Sequence, residues 1–279
     1  MVDQEGGRVQ RFNQAGFTKL PSLYDIAQNN DIEIIKSHAV VLAYELQQCG
    51  VDLSLTPSVD LYNSASKIIN NRAFSPDPKK VAYIAGIYIK TLKEMGIKAV
   101  IKHFPGHGSI TNDTHIEIAQ NNASYAELLD SDLYPFKSII SSNANIAAVM
   151  SSHVLYKNID DNIPTFSKFW LQEVLRHKFK FSGLIISDDM GMFAANTNFD
   201  SAYTAVVKYF ESGGDMTLLC NDFSAIDEIL SSEEQFVLDN NKQQLTQGLC
   251  AKYQSSYRLI DLKEKYAKHK LLLSNHKLI

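Results

Sequence analysis

Five short apolar runs recur along this chain, each entered from a segment of helical period, and that alternation constrains the fold more than any other feature. The runs cover residues 51–57 (VDLSLTP), 99–103 (AVIKH), 145–151 (NIAAVMS), 183–187 (GLIIS) and 215–220 (DMTLLC). The helical patterns before them span 34–49, 79–95, 125–141, 167–179 and 200–212. Gly50 and Gly96 stand where C-terminal helix glycines belong, and Ser167 is placed as a helix N-cap. Strands apolar on both faces and separated by helices predict a parallel sheet, because parallel pairing needs a long crossover and buries both faces. With 279 residues, 45% of them hydrophobic, the chain has material for one large domain or two modest ones.

The strand ends run into Asp60, His103, His153, Asp188 and Asn221. In parallel α/β folds the chemistry sits at the carboxyl ends of the strands, so the site is expected there. Charge narrows its partners. Lys and Arg number 27 against 31 Asp and Glu, and a net charge of -4 without a basic stripe argues against nucleic acid. Cys49, Cys220 and Cys250 are odd in number and far apart, which offers neither a disulfide framework nor a Cys-x-x-Cys metal knuckle and fits a reducing compartment. No run reaches the roughly 18 apolar residues of a membrane span, and the start MVDQEGGR lacks an apolar leader. The expectation is a cytoplasmic chain with no membrane partner.

Three clusters carry candidate chemistry. Residues 102–108 (KHFPGHG), followed by 112–115 (NDTH), read as a loop leaving a strand end. Asp113 and His115 are two apart, so in extended or turn geometry both side chains point the same way, and a carboxylate beside an imidazole suits proton transfer near neutral pH. Each histidine taken singly also fits a surface or capping residue. His103 and His107 have the spacing of a helical zinc pair, but Pro105 and Gly106 break that helix and no Cys or Glu completes a set, so neither metal nor cofactor is expected.

The second cluster is Asp188-Asp189 after the run 183–187. If Asp188 continues the strand's inward alternation it faces the mouth of the sheet, with Asp189 turned aside; equally, both acids fit caps for the following helix. The third is the Gly-rich turn at residues 3–8 (DQEGGR), which lacks a phosphate-loop pattern. Arg72 sits in a proline-bearing loop where a structural salt bridge is the plain alternative.

Together, the strings VDQEGGRVQRF, LTPSVDL, RAFSPDP, KHFPGHG with NDTH, MSSHVLY, SGLIISDDMGM and GGDMTLLCND resemble the signature segments of glycoside hydrolase family 3, in its bacterial β-N-acetylglucosaminidase branch. They keep the family's order from Val2 to about Asp222. The resemblance implies a TIM (β/α)8-type barrel that removes terminal β-linked N-acetylglucosamine from cell-wall turnover fragments carrying 1,6-anhydro-N-acetylmuramic acid, without metal or cofactor. It implies retention through a covalent glycosyl-enzyme, with Asp188 as nucleophile and His115, supported by Asp113, as acid/base. By the same match Asp3, Arg72, Lys102, His103 and His153 would hold sugar hydroxyls.

Family members generally carry a segment before the DQEGG turn that supplies the first two barrel strands and most of a third. The expected fold is therefore a barrel lacking its first strands over residues 1–222, with a helical C-terminal extension over 223–279, basic at 263–270. A displaced start, a fragment of a divided gene or completion by association would each give that pattern. The rival functions are a non-catalytic remnant that at most binds sugar, and a family 3 β-glucosidase or phosphorylase.

Overall fold

The computed structural model describes residues 1–110, 119–142, 144, 146–196, 199–220, 222–231, 269–270 and 272–278. A two-stranded antiparallel ribbon, β1 (Gln4–Gly6) and β2 (Val9–Gln10), comes first, then helices α1 (Leu23–Gln28) and α2 (Ile32–Gln48). The ribbon turns at Gly6 and Gly7 with φ of 100° and 56°. A Cβ at Gly6 would lie 2.4 Å from the Pro21 carbonyl oxygen, so glycine there serves both the left-handed backbone and the close approach.

Five parallel strands follow: β3 (Leu53–Ser54), β4 (Lys98–Phe104), β5 (Ile146–Ser151), β6 (Leu184–Asp189) and β7 (Met216–Leu218). They lie side by side in chain order and form a curled, open sheet; the described residues make a half-barrel and not a closed barrel. Each step moves one strand in the same direction. That separates the chain from doubly wound folds, whose strand order reverses, and is the progression a barrel requires. At the other edge Val2 extends the sheet: its N–H reaches the Leu53 oxygen at 3.2 Å and its oxygen accepts the Leu55 N–H at 2.9 Å.

The crossovers carry α3 (Pro78–Glu94), α4 (Tyr125–Asp130) with α5 (Leu133–Ser141), a π-type helix (Phe169–Lys178), and α6 (Phe193–Asn196) with α7 (Ala202–Glu211). The single helix expected over 125–141 is two. Pro135 has no N–H and its ring would clash with the carbonyl four residues earlier, at Ser131, and the chain breaks there, with Ser131 at φ −124°, ψ −107°. Ser167 performs its expected role, accepting the Trp170 N–H at 3.1 Å. Beyond the sheet, α8 (Phe223–Ser231) packs on α7. Of the expected basic stretch 263–270 all but residues 269–270 lies outside the described residues. Just past it Leu273 is buried in the core, and His269 Nδ1 is 2.8 Å from Ser37 Oγ of α2.

Alternation divides the apolar residues between two layers. Ala99, Ile101, Val149 and Ile185 face the helices in one large core. Leu55, Val100, Ala148, Met150 and Ile186 form a smaller cluster on the concave face, flanked by partly buried Leu53, Leu184, Met216 and Leu218. At about 25 cal/mol per Å² of apolar surface, the helix-facing layer carries most of the fold's hydrophobic stabilisation, and the concave layer builds a floor for what stands above it. No described helix is long and apolar enough to cross a membrane.

Candidate active site

Residues on or just beyond the ends of all five parallel strands line one cavity of about 690 Å³, a size suited to a small ligand. Its floor is Leu55, Met150 and Leu218, and its polar wall includes Asp3, Arg72, Lys102, His103, His107, Asp188 and Asp189. Strand alternation explains two of these placements. Lys102 lies two residues beyond Val100 and Asp188 two beyond Ile186, so both continue the concave face.

Lys102 is almost wholly buried, with Nζ 2.7 Å from Asp3 Oδ1 and 2.5 Å from Glu5 Oε1. Arg72 holds the same Glu5 through two bonds, Nε to Oε2 at 3.0 Å and Nη2 to Oε1 at 2.7 Å. Two cations and two carboxylates thus share one buried patch, which makes the burial tolerable. Burial opposes the charge on each member, yet the neighbours outweigh it: Asp3 is drawn down to about 2, Glu5 is lowered, and Lys102 and Arg72 are raised. All four therefore stay ionised at neutral pH, and their donors and acceptors are fixed before a ligand arrives.

His103 is oriented from behind. Asp60, fully buried, lies 2.7 Å from His103 Nδ1 and accepts the His103 N–H at 3.2 Å, the His107 N–H at 2.7 Å and the Ser58 hydroxyl at 3.0 Å. Burial alone would raise its pKa, but His103 and these donors hold it down to about 2. With Nδ1 committed to Asp60, Nε2 is the ring atom left to face the cavity, 3.4 Å from Arg72 Nη2.

Asp188 stands at the end of β6 with Oδ1 accepting the Asp189 N–H at 2.8 Å; among the described residues no other hydrogen bond engages its carboxylate. Burial pushes its pKa up, but His103, His153, the Asp189 N–H and Lys102 bring it below the ordinary value. It is an ionised carboxylate with an oxygen left for a reacting atom. Asp189 turns aside, its Oδ1 accepting the N–H groups of Gly191 at 2.9 Å and Cys220 at 3.1 Å.

Of the residues expected from the sequence, Asp3, Arg72, Lys102, His103 and Asp188 meet at this cavity. His153 does not line it: Nδ1 is 2.9 Å from Thr165 Oγ1 and Nε2 is 3.2 Å from the Asp189 oxygen, behind the Asp188 strand end. Asp113 and His115 lie outside the described residues. The chain leading to them is described as far as Ile110, and it resumes at Ala119, where the Ala119 oxygen accepts the Leu155 N–H at 2.8 Å.

Sequence reasoning placed Glu5 only within the turn 3–8 and gave it no role, although it ties Lys102 to Arg72, and it missed Arg11, whose Nη2 is 3.3 Å from Asp3 Oδ2 at the cavity rim. It noted Asp60 only as a strand-end polar residue. A buried acid beside two buried cations is visible only once the ribbon is folded over the sheet, so no local pattern announced Glu5.

A parallel sheet with an ionised carboxylate at a strand end, facing a fixed ring of hydrogen-bond donors and acceptors, has the layout of (β/α) enzymes, which act at the carboxyl ends of their strands. Residues 1–247 match the glycosyl hydrolase family 3 N-terminal domain, and the chain belongs to that family, in its β-N-acetylhexosaminidase group. It is 41% identical over 237 residues to a β-hexosaminidase of Nitrosomonas eutropha, covering 83% of this chain and 67% of that one. A β-hexosaminidase of Hydrogenovibrio crunogenus is 42% identical over 236 residues, 82% of this chain and 65% of the relative. Among solved structures, NagZ from Neisseria gonorrhoeae in complex with N-trifluoroacetyl-D-glucosamine superposes with a TM-score of 0.76 at 37% identity, covering 83% of this chain and 68% of that one. The chain thus spans about two thirds of the length of these relatives.

Proposed function

We propose that this chain is a retaining β-N-acetylglucosaminidase that releases terminal β-linked N-acetylglucosamine from cytoplasmic peptidoglycan fragments of the N-acetylglucosaminyl-1,6-anhydro-N-acetylmuramic acid type. The observation that carries the reading is Asp188, held ionised and with one oxygen uncommitted among the described residues, on the wall of a cavity where Asp3, Arg72, Lys102 and His103 are already paired. The names of the relatives support the sugar, and the N-trifluoroacetyl-D-glucosamine bound by the gonococcal protein is a ligand of matching chemistry.

In this reading Asp188 attacks the anomeric carbon as the glycosidic bond breaks, through an oxocarbenium-like transition state. His115, supported by Asp113, gives its proton to the leaving oxygen. Water then attacks the same carbon, passes a proton to His115 and frees Asp188. Asp3, Arg72, Lys102 and His103 orient the sugar hydroxyls, and His153 acts from behind by fixing the end of β6. Residues 1–222 form the catalytic unit, a part of a TIM-type barrel; of the helical extension expected over 223–279, α8 and the buried Leu273 support packing on that unit, and residues 232–268 lie outside the described residues. No metal or cofactor takes part.

The test is covalent trapping. A 5-fluoro N-acetylglucosaminyl fluoride is expected to add one sugar mass to the intact chain and none to Asp188→Ala. Label persisting on Asp188→Ala places the nucleophile elsewhere, and a turnover rate that rises with inorganic phosphate identifies a phosphorylase.

A further inference from the structure

Asp132 stands immediately before α5, in the N-cap position, yet its side chain makes no capping bond to that helix. An Asp in that place ordinarily accepts an N–H of the first turn. Here the carboxylate turns instead to the stretch 106–110. Its Oδ2 accepts the Ser109 hydroxyl, and a Cβ on Gly106 would fall 2.4 Å from Asp132 Cβ and 2.8 Å from Oδ1. Asp132 is 3% exposed, and among the described residues Oδ1 has no hydrogen-bond partner. The Tyr156 hydroxyl donates to the Gly106 oxygen from the other side. A carboxylate that gives up a helix cap, loses its water and leaves one oxygen unsatisfied costs the fold stability, and among the described residues its hydrogen bonding is spent on this stretch.

That stretch carries His107 into the cavity wall, and its Gly106 N–H bonds the His103 oxygen at 2.7 Å. It is also the root from which the chain runs on to Asp113 and His115. We infer that Asp132 is a positioning residue for the glycosidase reaction, anchoring 106–110 through Ser109 so that the histidine side of the cavity is held in register with Asp188. This rests on the function proposed above.

The groups facing Asp132 are Ser109, Asp60 beyond β3 and the Tyr156 hydroxyl beyond β5. Burial, opposed by Ser109 and aided by Asp60, raises its pKa to about 6. A carboxyl raised in the folded state favours folding below its unfolded pKa and loses that contribution as pH rises through 6. At pH 7.5 the charged anchor therefore works against stability while it serves the site. A residue with a purely structural role would show the opposite pairing.

Asp132→Asn keeps the shape and removes the charge. On a chromogenic β-N-acetylglucosaminide at pH 7.5 it is expected to lower kcat about tenfold with KM within twofold, while its Tm rises. The wild-type to variant ratio of kcat should shrink toward one at pH 5, where wild-type Asp132 is itself protonated. Ser109→Ala leaves the buried carboxylate without its donor, so it should lose kcat similarly while its Tm falls, opposite to Asp132→Asn. Unchanged kcat in both variants, or a ratio flat with pH, overturns the inference. If the wild-type chain does not hydrolyse the substrate, the proposed function fails; amide exchange then decides the anchor. Protection at Gly106 and Ile110 should fall about tenfold in both variants, and equal protection overturns it.

Discussion

At the scale of single residues, the site is a set of buried charges that balance one another, and Glu5 is the member on which the balance turns. It touches both buried cations, Lys102 and Arg72, and is itself 1% exposed. Removing one partner of a buried ion pair strands the other at a cost of ~3–5 kcal/mol. Glu5→Ala is accordingly expected to lower the unfolding free energy by about that much in urea melts and to weaken sugar binding; a loss under about 1 kcal/mol would mean that Asp3 alone balances both cations. The carboxylates also set the acid limit. Asp3 and Asp60 each fall from 3.8 to about 2, so each adds ~2 kcal/mol above pH 4, and that is lost as pH falls through 2. Burial lowers His38 and His107 from 6.5 to about 4, so their contribution is whole above pH 6.5 and disappears as pH falls through 4. Stability should therefore decline in two stages on acidification, and pH-dependent urea melts that show no loss above pH 4 would contradict this assignment. Asp188 was legible in the sequence because a period of two carries its side chain to the face of Ile186. Glu5 was not, since what surrounds it comes from residues far along the chain.

At the scale of elements, the strands and long helices follow from local pattern, and the departures have local causes. Pro135 divides the helix expected over 125–141, a signal present in the sequence but outweighed by the apolar period on either side. The division matters because it puts Asp132 at the break, beside the stretch 106–110. On that stretch Gly108 packs so closely on Leu61 that an added Cβ would lie 2.0 Å from the Leu61 oxygen. Gly86, inside α3, has open space around that position. Gly108→Ala is expected to destabilise by about 1–3 kcal/mol and to reduce turnover, since backbone must move. Gly86→Ala should stabilise by about 0.5–1 kcal/mol with activity intact. Equal effects of the two on Tm would show that 106–110 is not held against Leu61.

At the scale of the whole molecule, chain-order strands, one large core under the helices and a small apolar layer on the concave face were all foreshadowed by five runs between helical segments. Sequence pattern reads topology well here because the strands are apolar runs and every crossover is helical, whether it carries one helix or two. It reads the site less fully, because the ribbon β1–β2 and the β4 end meet only through tertiary folding. His153 illustrates the gap: its place after β5 pointed to the cavity, and its two ring nitrogens bond Thr165 and the Asp189 backbone instead. A bond from Asp188 to the sugar requires two displacements at the anomeric carbon and hence retention. Proton NMR of the first seconds of 4-nitrophenyl N-acetyl-β-glucosaminide hydrolysis by the 279-residue chain tests it directly. The β-anomer of N-acetylglucosamine should appear first and only later equilibrate; release of the α-anomer first, or no release, would contradict covalent catalysis by Asp188.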